Sequence, residues 1–355
     1  MRTIQAPNQP VPAPNIHPKP NAKEKLTSAE QAKLWTTYVG NSMAVRVLSY
    51  FLQHVDDQDI KHVLENAYSI SEQIVEIIRT VFTQENLPVP FGFTEDDVNI
   101  GAERLFTDEF YLPYLKYTGK AGISIYGIAV PLMTRPDIRE FFTQTLDSTV
   151  KLMNRINQLL EIKGLAAKPP YIPYRDKNDF IRKQNYLNGF FGDVRPLHGL
   201  EITHLFENVE NNATSKAVLI GFSQVAQLEK VKSYFLRGEE IAAKHYDFFS
   251  KALEKEDLPA PPLLDSYVTT STSPPFSDKL MMSHKLDMYS MRVRAYGNAL
   301  AFTTRHDLSL KYGRLLLEVG NYVEDGANIL ISHGWIEEPP QAVDRQALAA
   351  ESKER

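Results

Sequence analysis

The chain has 355 residues, a net charge of −5, 43% apolar residues and no cysteine. That length and apolar share point to two or three domains with substantial cores. The missing cysteines exclude a disulfide framework, a thiolate zinc site and a cysteine nucleophile. The acidic balance, with no basic stripe, argues against a nucleic-acid binder.

The N-terminus, MRTIQAPNQPVPAPNIHPKPN, has six prolines in its first twenty residues and no apolar run of the signal-peptide kind. Residues 1–24 are expected to form an extended, disordered arm. Apolar residues at helical spacing then predict a helix over 27–54, and a second follows almost at once over 57–86. The hexapeptide ENLPVP (85–90) ends the second helix and opens a proline-rich connection of about twenty residues, long enough to run the length of a bundle. A third helix is predicted over 108–133. Its stretch Ala121–Met133, AGISIYGIAVPLM, is too short to span a bilayer, and Lys120 and Arg135 bracket it. It reads as a buried core helix, and no membrane span is expected. A fourth helix runs from Arg135 to Gly164, with Asp137 in its first turn, where a carboxylate meets exposed N–H groups. Glycine then proline stops it.

The same four elements then recur. EDLPAP (256–261) repeats ENLPVP, residues 26–90 align without a gap onto 197–261, and residues 106–170 align onto 276–340. Leu26/Leu197, Glu30/Glu201, Asn41/Asn212, Gln53/Gln224, Phe106/Phe276, Tyr126/Tyr296, Arg135/Arg305 and Asp137/Asp307 are among the identical pairs. Roughly one position in five is identical, which marks an internal duplication. The chain thus divides into bundle 1 (25–170), a linker (171–196), bundle 2 (197–340) and a tail (341–355) expected to be disordered. Two antiparallel hairpins joined by one long crossover is the ferritin-like topology. The fold class is all-α: two tandem ferritin-like four-helix bundles.

The repeat unit and the stretches FGFTEDDVN (91–99), FFGDVRPL (190–197), PPFSDKLMM (274–282) and YVEDGANILISHGWIEEPP (322–340) resemble the DUF3231 family. Those are uncharacterised two-copy proteins of Bacillus-type spore-formers. The resemblance implies the tandem ferritin-like fold and, through spore-coat relatives, a sporulation setting. It implies no reaction.

A di-iron bundle needs a Glu from each of two helices and Glu-x-x-His from the other two. Copy one has no Glu-x-x-His. Copy two has Glu201-Ile-Thr-His204, but on its first helix, and its third helix has no glutamate. What remains are candidates for a degenerate site in bundle 2. Axial bookkeeping sets His245 level with Glu318, and His284 level with Asp325. Glu201 and His204 lie nearer the bundle end. Two readings stand for these groups: hydrogen-bonded polar pairs of the core, or a site for Fe, Mn or Zn. Arg292, Arg294 and Tyr296 offer an anion site, and Arg135/Arg305 a turn brace through Asp137/Asp307.

The function expected is non-enzymatic, with a structural or interaction role in the cytoplasm or spore. A metal-binding ferritin-like protein is the alternative, and a small-ligand binder with an apolar cavity is a third reading. The partner would be a second copy or another protein. The two ferritin-like bundles are expected to meet through the small residues of their third helices.

Overall fold

The structure, a computed structural model, describes residues 10–16, 24–174 and 176–351. Eight long helices make up the two repeats: α1 (Ser28–His54), α2 (Gln58–Gln84), α3 (Asp108–Ala129), α4 (Pro136–Ile162), α5 (Gly199–Val225), α6 (Glu229–Glu254), α7 (Asp278–Phe302) and α8 (His306–Ser332). A short α9 (Arg345–Glu351) follows. Among the described residues there are no strands, only two isolated bridges. Among the described residues, no helix is long and apolar enough to cross a membrane.

Local sequence explains the helix ends. Thr27 and Glu30 form a capping box at α1, and His198 and Glu201 form the same box at α5. The repeated hexapeptide is a helix stop. Asn86 and Asp257 take left-handed backbone (φ 55° and 56°), which their short polar side chains tolerate. Leu87 and Leu258 then donate back to Phe82 and Leu253 carbonyls at 2.9 and 3.1 Å, a Schellman-type closure. Gly164 and Gly334, with φ +69° and +66°, end α4 and α8.

Each repeat is two antiparallel hairpins, α1–α2 with α3–α4 and α5–α6 with α7–α8, joined by a crossover. The amphipathic faces close each core. The stripe of α6 at helical spacing, from Val231 through Phe235, Ala242 and His245 to Leu253, is buried throughout.

The crossovers decide how the repeats meet. Val98 bridges Phe276 and Phe106 bridges Val268, both antiparallel. Val98 and Val268 are one repeat position, as are Phe106 and Phe276. The backbone bonds exchange in the same way. Asn99 donates to the Pro275 carbonyl at 2.8 Å and its counterpart Thr269 to Leu105 at 3.0 Å. Thr107 donates to Tyr267 at 2.9 Å and Ser277 to Asp97 at 3.0 Å. This is an isologous contact within one chain, built around a pseudo-twofold axis. Gly221 makes room for it: a Cβ there would lie 2.7 Å from the Phe106 ring.

The small residues of the third helices do not form the bundle–bundle contact expected of them. That contact uses large groups of α3 and α7, with the Tyr117 hydroxyl donating to the Met288 carbonyl at 2.6 Å. Gly119 and Gly122 turn instead into the interior of bundle 1. Large side chains cross the axis because they fill the gap that two crossovers hold open.

The terminal segments also differ from expectation. Residues 10–16 are extended but seated on bundle 1. Val11 is buried and donates its N–H to Asn66 at 2.8 Å, and Ser148 donates to the Pro12 carbonyl at 2.7 Å. Proline supplies carbonyls without N–H groups that need partners, so it can lie along a helical surface. The rest of the arm, 1–9 and 17–23, lies outside the described residues. In the tail, 345–351 is helical. The linker is irregular apart from a 3₁₀ turn at Gln184–Leu187, and it exposes Tyr171, Tyr174, Phe180 and Phe191.

If the crossovers join the repeats, covalent continuity through the linker is dispensable. Cutting the chain between residues 178 and 179 should leave two fragments that co-elute as a 1:1 complex by light scattering. Phe106→Ala, which empties a fully packed site at the crossover, should weaken the intact protein by about 3–5 kcal/mol in urea unfolding. Separate elution of the fragments would refute the brace.

Candidate functional site

The six residues that the sequence nominates as metal ligands are distributed over five places. Glu201 closes the end of bundle 2. It accepts from Arg195 through both oxygens at 2.8 Å and from the His198 and Thr304 N–H groups. Burial pushes its carboxyl up, but Arg195 and the His198 N–H overcome this and hold it at about 2. Glu30 does the same in bundle 1, accepting from Thr27, Thr134 and Arg135 N–H groups at 2.8–2.9 Å. Arg135 and Arg305 brace the turn through Asp137 and Asp307, as their spacing predicts.

His204 stacks on Phe302 at 5.6 Å and stands 3.7 Å from Glu207, away from the other candidates. His245 does meet Glu318, Nε2 to Oε2 at 3.0 Å, while its Nδ1 faces the Tyr296 hydroxyl at 2.9 Å. Lys244 occupies both oxygens of Glu318 at 2.6 and 2.9 Å. His284 does not meet Asp325. It turns across the pseudo-twofold axis to Tyr114, Nε2 to hydroxyl at 2.6 Å. Tyr114 and His284 are the same repeat position, so the axis itself pairs them. Asp325 binds Arg237 at the surface at 2.7 Å. Among the described residues, no group of three or more His, Asp or Glu side chains is arranged to hold a metal ion. The common level of His245 and Glu318 is seen in their contact, whereas His284 turns to another neighbour, because rotation about the helix decides which neighbour a side chain meets.

The proposed anion pair also separates. Arg294 bonds the Ser290 hydroxyl, whereas Arg292 is 1% exposed and lies over the Tyr289 ring, 4.5 Å from its centroid. No acceptor among the described residues reaches its nitrogens.

Two spaces have room for a ligand: one of about 200 Å³ between the repeats, in whose wall Lys116 is already paired with Glu210 and Lys120 with Asn211, and one inside bundle 1. A cavity of about 160 Å³ lies between α1, α2, α3 and α4, with α7 contributing His284, Asp287 and Met288 from the other repeat. Its walls are mostly apolar, including Leu48, Ala67, Ile70, Ile74, Leu115 and Leu152. Asn41 donates to the Thr37 carbonyl at 2.8 Å and the Tyr126 hydroxyl at 3.0 Å, at one end. Thr36, also in the wall, is exposed. The equivalent pair Asn212 and Tyr296 recurs in bundle 2, but the core around it is filled. Tyr289, Arg292 and Tyr322 occupy the positions of Gly119, Gly122 and Leu152. Sequence reasoning took the small residues of α3 for a packing surface. The signal it passed over is the position-by-position contrast of the two copies, Gly against Tyr and Gly against Arg.

The family described as "Protein of unknown function (DUF3231)" matches residues 16–177 and again 186–348. No curated protein matches the chain. A crystal structure of a "putative spore coat protein" from Bacillus halodurans C-125 is 19% identical. It covers 43% of this chain and 98% of its own, with a TM-score of 0.39, a likeness too loose to carry an argument.

The buried histidines set the acid stability. Burial, then the Arg292 charge, lowers His245 to about 4, against the pull of Glu318. Burial and Lys285 lower His284 to about 3. Both are neutral when folded, so the unfolded chain binds more protons between about pH 6.5 and 4. Stability should therefore fall as pH falls through that window, by on the order of 2–4 kcal/mol. Urea midpoints at pH 7, 5.5 and 4.5 should show the fall, and His245→Gln with His284→Gln should flatten it. An unchanged slope in the double variant would assign the effect elsewhere. Below that window Glu30 and Glu201, whose pKa values are depressed, take over.

Proposed function

The chain belongs to the DUF3231 family, and on that premise we propose that it is a non-enzymatic small-molecule-binding protein, with bundle 2 as scaffold and bundle 1 as receptor. The observation that carries this reading is the contrast between the two cores. Duplicated bundles with the same caps, stops and turn braces differ where Gly119 and Gly122 face Tyr289 and Arg292. An unfilled core weakens a bundle, and here the opening is lined by apolar walls with a few convergent polar groups, the usual make-up of a ligand site. The crossover brace supports the scaffold role, because it brings α7 of the second repeat into the wall of the first. A sporulation setting, in the cytoplasm or the spore, rests on the family resemblance alone and is part of the proposal.

Toluene is a suitable first probe, because a cavity of about 150 Å³ is large enough for benzene. It should raise Tm at saturating concentration, by the linkage of about 1–3 kcal/mol that such occupancy brings. Ala67→Leu fills the same space from α2. That variant should be folded and at least as stable, and should lose the toluene response. A variant that gains stability beside a wild type blind to toluene would identify the space as a packing defect and end the proposal.

A further inference from the structure

The second bundle shows what the first one lacks. Where copy two places the Tyr289 ring and the Arg292 guanidinium against each other, copy one has two glycines. An aromatic group and a cation are therefore missing from one place. The backbone at these glycines is closely approached, so a side chain grown there would have to displace its neighbours, whereas a ligand would occupy the cavity they line. A Cβ at Gly122 would lie 3.2 and 3.4 Å from Tyr126 and Thr149, and at Gly119 it would meet the flexible end of Met153.

The side chain that the other repeat contributes to this space differs as well. Tyr117 of α3 reaches over to the second repeat and donates to Met288. Its counterpart on α7 is Asp287, and Asp287 lines the bundle 1 cavity. It is exposed as well as part of that wall. No described residue gives it a hydrogen bond or an ion pair. The charge that tempers it, Arg294, is bonded to Ser290 at 2.8 Å. An unpaired carboxylate in the wall of a mostly apolar cavity is a ready partner for a cation. Two more buried polar atoms of the wall, Thr37 Oγ1 and His284 Nδ1, have no partner among the described residues. Buried groups of this kind are rarely left unmatched.

Building on the receptor reading above, we infer that the bundle 1 cavity takes a small aromatic or branched aliphatic primary amine. Its ring fills the place that Tyr289 and Arg292 fill in bundle 2, and its ammonium group meets Asp287. The volume, about 160 Å³, admits one ring with a short arm. An ammonium group brings three donors to a wall where Asp287 and Thr37 offer acceptor oxygens. Copy two then carries, as part of its own chain, the chemistry that copy one receives from outside.

The test uses the full-length protein and three probes of one shape: benzylamine, benzyl alcohol and toluene. Affinities are read by calorimetry at neutral pH, where benzylamine is charged. Benzylamine should bind more tightly than benzyl alcohol. Asp287→Asn should weaken benzylamine about tenfold or more while changing toluene by less than about threefold, since a hydrogen bond to a charged group is at stake. Ala67→Leu should abolish all three. Asp287 is exposed, so its variant should fold, and circular dichroism checks that it does. Toluene binding with no preference for the amine, or benzylamine binding indifferent to Asp287→Asn, would overturn the amine inference and leave the receptor reading standing. Benzylamine binding that survives Ala67→Leu would put the site elsewhere and overturn it too. Failure of all three probes on the wild type would overturn both.

Discussion

A crossover between helix hairpins has a difficulty that the helices do not. Its backbone N–H and carbonyl groups have no helical partners, yet the segment must run across a packed surface. Here each crossover solves this for the other. Asn99, Thr107, Thr269 and Ser277 donate across the axis in two matched pairs. From that constraint follow the relative placement of the two repeats, the approach of α3 to α7, the pairing of Tyr114 with His284, and the entry of Asp287 into the wall of bundle 1. An isologous contact of this kind is what two identical chains would form, and the duplication holds it within one.

Around the brace, the repeats keep what folding requires and differ in what fills them. Glu30 and Glu201 hold the same N–H groups, and Asp108 and Asp278 accept from the two N–H groups that lead into α2 and α6 alike. These are unpaired donors at helix ends, which every copy must satisfy. The interiors carry no such obligation. Bundle 2 has accumulated a stacked tyrosine cluster, with Tyr234 and Tyr322 at 4.1 Å and Tyr289 beside them. Gly238 admits it, since a Cβ there would lie 2.2 Å from the Tyr322 hydroxyl oxygen. Bundle 1 has Val63, Ala67 and Leu152 at the matching positions, and is hollow.

Polar groups inside bundle 2 show how buried charge is managed without a metal-ligand arrangement. His245 takes one partner on each ring nitrogen, Tyr296 and Glu318. Lys285 bonds Ser215 at 2.8 Å and is pushed by burial, then by Arg292, well below its ordinary pKa, toward the neutral amine. Arg292 cannot respond by losing its proton, and it lies against aromatic faces instead. In bundle 1 the corresponding positions are Ile74, Leu115 and Gly122. The one charged side chain in the wall of its cavity, Asp287, comes from the other repeat.

The linear sequence determined the elements and their duplication. Apolar spacing, the hexapeptide stops, the glycine ends and the Arg–Asp turn braces depend on neighbours within a few residues, and those are fixed by chain connectivity. It also determined that His245 and Glu318 share a level, because rise per residue is constant along a helix. Tertiary structure alone decided the rest. Whether His284 met Asp325 or Tyr114 depended on the rotation of α7 about its axis, and that rotation is set by packing against α3 across the crossovers. Whether Gly119 and Gly122 brought two bundles together or left one hollow depended on which face of α3 the brace turned inward. The arm at 10–16 likewise found its place on α2 and α4 through a surface that exists only once bundle 1 has closed. No local pattern of residues encodes these outcomes, since each is a contact between segments distant in sequence whose orientation is settled by the packing of the whole.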